Sequence, residues 1–194
     1  MKALELRKIE KLYFGYEDIA KVLNITKDSA RIVASRYVKA GVLVRIKRNL
    51  YMLYEKWIAA TTEQTFEVAN LIEVPSYVSL MTALSYYEVT TQIQQKFIES
   101  IAIKRTKEVE IQGTKFCYSK IKSSLYFGFM RKRGFFIAEP EKAFLDLLYF
   151  KSLGRRSVDF SSIDYARLNW SKIRQFVDLY PAATQKLLRR YEYS

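Results

Sequence analysis

The 194-residue sequence predicts an α+β fold in two parts, and three observations lead there. Apolar residues recur at helical spacing up to about residue 40, and again from Glu139 onward, which marks amphipathic helices. Between Phe97 and Ala138 the pattern switches to short β-prone runs, with Gln112-Gly113-Thr114 and Lys132-Arg133-Gly134 as turns. Glycine (6) and proline (3) are scarce and 49% of residues are hydrophobic, so packed elements with short connections are expected rather than a flexible linker.

Leu4, Ile9, Leu12 and Tyr13 fit one face of a first helix, which Gly15 stops. Glu17 to Asn24 reads as a second helix that buries Ile19, Ala20, Val22 and Leu23, with its acidic pair at the N-terminus where the helix dipole favours it. Asn24-Ile25 forms a turn, Thr26 caps a third helix through its hydroxyl, and Gly41 stops it. On that helix Ala30, Val33, Ala34 and Tyr37 face inward, whereas Asp28, Arg31, Ile32, Ser35 and Lys39 face out. Val42 to Ile46 and Leu50 to Leu53 then read as a β-hairpin around Lys47-Arg48-Asn49, with Asn49 left-handed. This order predicts an N-terminal winged helix-turn-helix with its connector over residues 1–61.

The expected partner of such a module is double-stranded DNA. The outward face of the third helix offers cations and hydroxyls for phosphates and base edges, and an apolar group for a thymine methyl. Arg31, Ile32 and Ser35 are the candidates for base contact, with Lys27 and Arg36 as phosphate clamps. Thr26 and Ser29 complete the set on the helix, and Arg45, Lys47 and Arg48 would bring the hairpin to the backbone beside the groove. A formal net charge of +13 agrees with attraction to a polyanion, and cationic density is highest over residues 1–56, with 13 Lys+Arg against 6 Asp+Glu. A module used only for protein docking is the competing reading.

Residues 62–194 predict a C-terminal α+β domain, a small antiparallel sheet flanked by helices. Glu63 to Ile72 is helical, Tyr77 to Ser79 is a short extended entry to a helix from Leu80 to about Tyr87, and five β-prone runs follow. Pro140 opens a helix with an apolar stripe of Phe144, Leu145, Leu147 and Leu148, and its Lys142 and Asp146 fall on the wet face. Helices over Ser171 to Leu179 and Ala182 to Tyr191 flank Pro181. Lys104, Arg105, Lys107, Arg131, Lys132 and Arg133 form cationic loops able to extend a nucleic-acid footprint or meet a partner. Tyr126 to Phe129 and Phe135-Phe136 could stack on single-stranded bases, though alternation between the two faces of a sheet explains them more simply.

Little points to catalysis. The chain has no His and a single Cys, so zinc constellations and internal disulfides are not expected, and no cofactor or metal is. Glu139, Glu141 and Asp146 read as surface patterning, and Glu108, Glu110 and Lys115 as the solvent side of a hairpin rather than a magnesium site. With no signal-peptide core and no apolar stretch of about 18 residues, a cytoplasmic protein without a membrane partner is expected.

Two stretches go further. Pro75, Ser76, Tyr77, Ser79, Leu80, Ala83 and Leu84 form one signature, and Glu141, Lys142, Ala143, Leu145 and Asp146 a second, with Phe144 as an apolar substitution. Together with the N-terminal module they resemble the AbiEi family of type IV antitoxins and antitoxin-like transcriptional regulators over nearly the whole chain. Asn49 stands where the family's wing turn often has Gly, and Asn tolerates the same backbone region. The resemblance implies a DNA-binding autorepressor, without enzymatic activity, that acts on its own promoter. It also implies a C-terminal domain that counteracts a cognate nucleotidyltransferase toxin. A non-catalytic protein that binds a partner or RNA through its basic surface is the alternative, and a DNA-processing enzyme the more remote one.

Overall fold

The computed structural model describes residues 2–92 and 94–191, in an α+β fold that separates into two compact units, Met1–Ile72 and Glu73–Ser194. The first contains helices α1 (Lys2–Glu5), α2 (Tyr16–Leu23) and α3 (Lys27–Lys39), strands β1 (Leu43–Lys47) and β2 (Leu50–Leu53), and helices α4 (Tyr54–Ile58) and α5 (Thr62–Ile72). Its core gathers Leu6, Phe14, Ile19, Ala30, Ala34, Leu43, Tyr51 and Leu53. Ala30 and Ala34 are fully buried, and their small side chains let α3 lie close on α2. Thr26 caps α3 as the sequence predicts, accepting from the Ser29 amide at 3.2 Å.

The first helix is shorter than its apolar spacing suggests. After α1 and a 3-10 turn at Leu6–Lys8 the chain leaves helical geometry, and Phe14 exchanges two backbone hydrogen bonds with Tyr51, at 3.0 and 2.9 Å. The segment before Gly15 therefore adds a one-residue bridge to the hairpin, which satisfies backbone groups that a longer helix would have kept to itself. The domain boundary also differs from the predicted 61/62. Helix α5 packs on β1, and the Tyr13 hydroxyl donates to the Gln64 carbonyl at 3.1 Å and the Glu67 carboxylate at 3.2 Å, so α5 belongs to the first unit.

Strands β1 and β2 pair antiparallel with a bulge between Arg45 and Lys47, and turn through Arg48-Asn49. Asn49 is left-handed (φ 55°), and its Oδ1 accepts from the Tyr16 amide at 2.7 Å, which ties the hairpin tip to the start of α2. Gly15 leaves room for this contact, because a Cβ there would sit 3.0 Å from Asn49 Oδ1. Asn49→Ala should lower the stability of this unit by about 1–2 kcal/mol, through left-handed strain and the lost bond, and Asn49→Gly by less. Urea denaturation checks the pair, and equal losses would show that the backbone conformation contributes nothing.

The second unit contains β3 (Ser76–Val78), α6 (Leu80–Tyr86), β4 (Phe97–Ala102), β5 (Lys107–Ile111), β6 (Thr114–Lys120), β7 (Phe129–Lys132), β8 (Phe135–Ala138), α7 (Pro140–Ser152), α8 (Trp170–Val177) and α9 (Ala182–Leu188). Its six strands run in the order β5-β6-β4-β3-β8-β7, and the sheet is mixed rather than antiparallel. The hairpin β5-β6 returns so that β6 lies parallel to β4, and β8 lies parallel to β3. Tyr77 is no mere entry segment, because β3 sits inside the sheet between β4 and β8. The predicted strand over Tyr126 to Met130 is displaced, with a 3-10 turn at Ser123–Leu125 and β7 starting at Phe129. Helix α7 packs against α6, α8 and α9, and every residue from Glu141 to Phe150 is buried.

Candidate nucleic-acid interface

Helix α3, the start of α2 and the hairpin enclose an open groove of about 790 Å³ in the first unit. Among the described residues, Lys27, Arg31, Arg36, Lys39, Arg45 and Arg48 line it against one acid, Asp28. Six cations at one concave surface create a positive potential that low-dielectric walls reinforce. Ile32 is 63% exposed on the same helix face, beside Ser35. Leaving a β-branched apolar side chain in water amid cations gains nothing for the fold.

Not every predicted residue reaches this groove. Thr26 and Ser29 are engaged with each other at the α3 cap, Thr26 Oγ1 donating to Ser29 Oγ at 2.9 Å. The Lys47 ammonium donates to the Leu71 carbonyl at 2.6 Å and does not line the groove. The bulge between Arg45 and Lys47 interrupts the alternation that would put both on one face, and the carbonyls at the α5 C-terminus have no partner within their own helix. Lys27 lines the rim but is ion-paired with Glu17 of α2. Arg31, Ile32, Ser35, Arg36, Arg45 and Arg48 are brought together.

Tyr16 and Tyr51, which no sequence pattern singles out, also line the groove. The Tyr51 hydroxyl donates to that of Tyr16 at 3.0 Å, and burial with this neighbour pushes it up to about 12. Tyr16 can therefore turn its own proton toward a ligand oxygen.

The cations of the second unit divide. Lys107 reaches the buried Glu73 carboxylate at 2.6 Å and lies 5.3 Å over the Tyr118 ring, while Arg105 approaches Glu73 at 3.8 Å. Lys104, Arg131 and Arg133 are exposed, and Lys132 sits over the rings of Tyr86 and Tyr87 at 4.6 and 5.2 Å. Lys115 pairs with Glu108 at 2.7 Å on the β5-β6 hairpin. No group of three or more His, Cys, Asp or Glu with metal-ligand geometry occurs among the described residues, and none of their helices is long and apolar enough to cross a membrane. Burial pushes the Cys117 thiol up to about 11.

The largest departure from the sequence prediction lies on α7. Lys142 and Asp146 are not on a wet face; both are fully buried and paired with each other. Asp146 Oδ2 accepts from the Tyr77 hydroxyl at 3.0 Å and the Ser79 hydroxyl at 2.9 Å, and Oδ1 accepts from Tyr180 at 3.1 Å. Lys142 donates to the Tyr180 oxygen at 2.7 Å and lies among the rings of Tyr77, Phe127 and Tyr180. Gly128 (φ 68°) fits against the Lys142 stem, where a Cβ would come within 3.0 Å. The buried Glu99 carboxylate pairs with the partly exposed Arg156 and accepts from the Met81 amide at 3.1 Å, next to the left-handed Leu80 (φ 57°). Burial raises the Glu99 carboxyl, opposed by the Arg156 charge.

Burial, followed by the Asp146 charge, pushes the Tyr77 and Tyr180 hydroxyls well above their ordinary 10.0. In the unfolded chain both phenols ionise near pH 10, whereas the folded chain keeps their protons, so stability falls as pH rises above about 10. Burial holds Lys142 below its ordinary 10.5, against the pull of Asp146, and acts with the opposite sign, one group against two. The melting temperature should decline above about pH 10, and decline less in Tyr180→Phe. A melting temperature that rises through this window would contradict the assignment.

No protein-family profile and no curated protein matches this sequence. The fold is similar to the crystal structure of the RV2827C protein from Mycobacterium tuberculosis, with a TM-score of 0.58 and 10% identity, over 95% of this chain and 72% of that one. At that identity the likeness concerns the fold alone.

Proposed function

We propose that the chain is a regulator that binds double-stranded DNA through its first unit, read as a winged helix-turn-helix with α3 in the major groove and the β1-β2 hairpin as the wing. The observation that carries this reading is the groove itself. Exposed Arg31, Ile32 and Ser35 on one face of α3 adjoin Arg45 and Arg48 of the hairpin. In this reading Arg31 reads a guanine edge, Ile32 meets a thymine methyl, and Arg36, Arg45 and Arg48 hold phosphates. The Phe14–Tyr51 bridge and the Asn49 anchor fix the hairpin beside α2, so the cations are held in place before DNA arrives.

The second unit carries the antitoxin role that its two signatures imply, opposing a nucleotidyltransferase toxin. In support, four signature residues, Tyr77, Ser79, Lys142 and Asp146, meet in one buried network of that unit. Arg31→Ala tests the DNA reading: it should weaken binding to the chain's own upstream region by about 1–3 kcal/mol more than binding to random duplex. Equal losses on both would make Arg31 a backbone contact. The same full-length variant should still protect cells that express a nucleotidyltransferase encoded next to it, and loss of protection along with DNA binding would refute the separation of roles.

A further inference from the structure

One edge of the second unit's sheet is formed by the β7-β8 hairpin, with β7 as the edge strand. Its two-residue turn, Arg133-Gly134, has positive φ at both positions (45° and 100°), which fixes the register Lys132↔Phe135, Arg131↔Phe136 and Met130↔Ile137. Directly opposed residues project from the same face, so the exposed Arg131 guanidinium and the Phe136 ring, 41% exposed, are neighbours there. Phe129 shares that face, two residues along the strand. Its ring meets Phe136 at 6.1 Å and Tyr126 at 4.9 Å, and stacks on the buried Tyr77 at 4.5 Å. Phe136 is thus an exposed member of an aromatic row rooted in the core.

The chemistry of the patch selects its occupant. Residues 129–136 hold three cations and no acid, and Met130 is 43% exposed on the opposite face. A second copy of the chain added along β7 would oppose two cationic strands, the pattern that keeps sheet edges apart. A polyanion with flat apolar faces fits instead: a base stacks on the ring while the adjacent guanidinium takes a phosphate. RNA offers such unstacked bases in its loops and ends, whereas duplex DNA hides them.

We propose that the β7-β8 hairpin is a docking surface for single-stranded RNA, with Phe136 stacking a base and Arg131 binding the neighbouring phosphate. The proposal does not depend on the DNA reading of the first unit. The test is fluorescence anisotropy of the full chain with a labelled, unstructured RNA of about 10 nucleotides, in an Arg31→Ala, Arg45→Ala background that disables the N-terminal groove. Binding should persist in that background, weaken at least about fivefold in Phe136→Ala and return in Phe136→Trp. Arg131→Ala should lower the slope of log K against log salt by about 0.7. An unchanged circular dichroism spectrum and melting temperature in Phe136→Trp, and an unchanged spectrum in Phe136→Ala, confirm folding. Equal RNA affinity in wild type and Phe136→Ala, binding to oligodeoxythymidylate but not to RNA, or binding only to an acidic peptide such as polyglutamate would each overturn the proposal.

Discussion

Asp146→Ala is expected to destabilise the second unit by about 3–5 kcal/mol, a large part of the roughly 5–15 kcal/mol that holds a typical domain together. The carboxylate is fully buried and accepts hydrogen bonds from Lys142, Tyr180, Tyr77 and Ser79. Removing it leaves an ammonium and three hydroxyls, those of Tyr77, Ser79 and Tyr180, without their buried acceptor, so desolvation already paid in the fold is no longer offset. Lys142→Met combined with Asp146→Leu should cost much less than Asp146→Ala, because no charge is then left alone. Ser79→Ala should cost only about 1 kcal/mol, since Oδ2 keeps its bond from Tyr77. Urea melts of the three variants check the ranking. If Asp146→Ala costs less than about 1 kcal/mol, or the double replacement costs as much, the network does not hold the unit in the way described.

The second large effect concerns salt. Each phosphate contact contributes about 0.9 to the slope of log K against log salt for duplex DNA, so Arg45→Ala with Arg48→Ala should flatten that slope by nearly two. Lys47→Ala should leave it unchanged, although Lys47 adjoins Arg48 in sequence, because its ammonium is held by the Leu71 carbonyl. Fluorescence titrations over a range of salt concentrations distinguish these cases. A slope that falls in Lys47→Ala and stays fixed in the double variant would place the phosphate contacts on the wrong side of the hairpin.

Where local chemistry decides the outcome, the sequence was enough. Thr26 as a cap, Ala30 and Ala34 as the close-packed face of α3, and Asn49 as a left-handed hairpin residue were all legible, because each depends on its immediate neighbours. The outward positions of Arg31, Ile32 and Ser35 followed from the period of the same helix. Lys142 and Asp146 were misplaced because a helical wheel assigns polar residues to water, whereas α7 is enclosed by three helices and its two charges neutralise each other. Three residues are too few to show alternation, which hid β3, and the parallel pairings arise from the order of crossovers rather than from any local pattern. The destination of Lys47 depended on α5, a partner more than twenty residues away in sequence. Long-range partners of this kind leave no periodic trace.

The central claim, that the cationic groove of the first unit serves sequence-specific recognition of duplex DNA, is tested most directly by titrating the full chain. The two targets are a duplex from its own upstream region and a scrambled duplex of equal length and composition, at physiological salt. The account predicts binding to the upstream duplex at least about 10³-fold tighter, with both affinities falling steeply as salt is raised. Equal affinity for the two duplexes, or affinities that salt does not change, would contradict it.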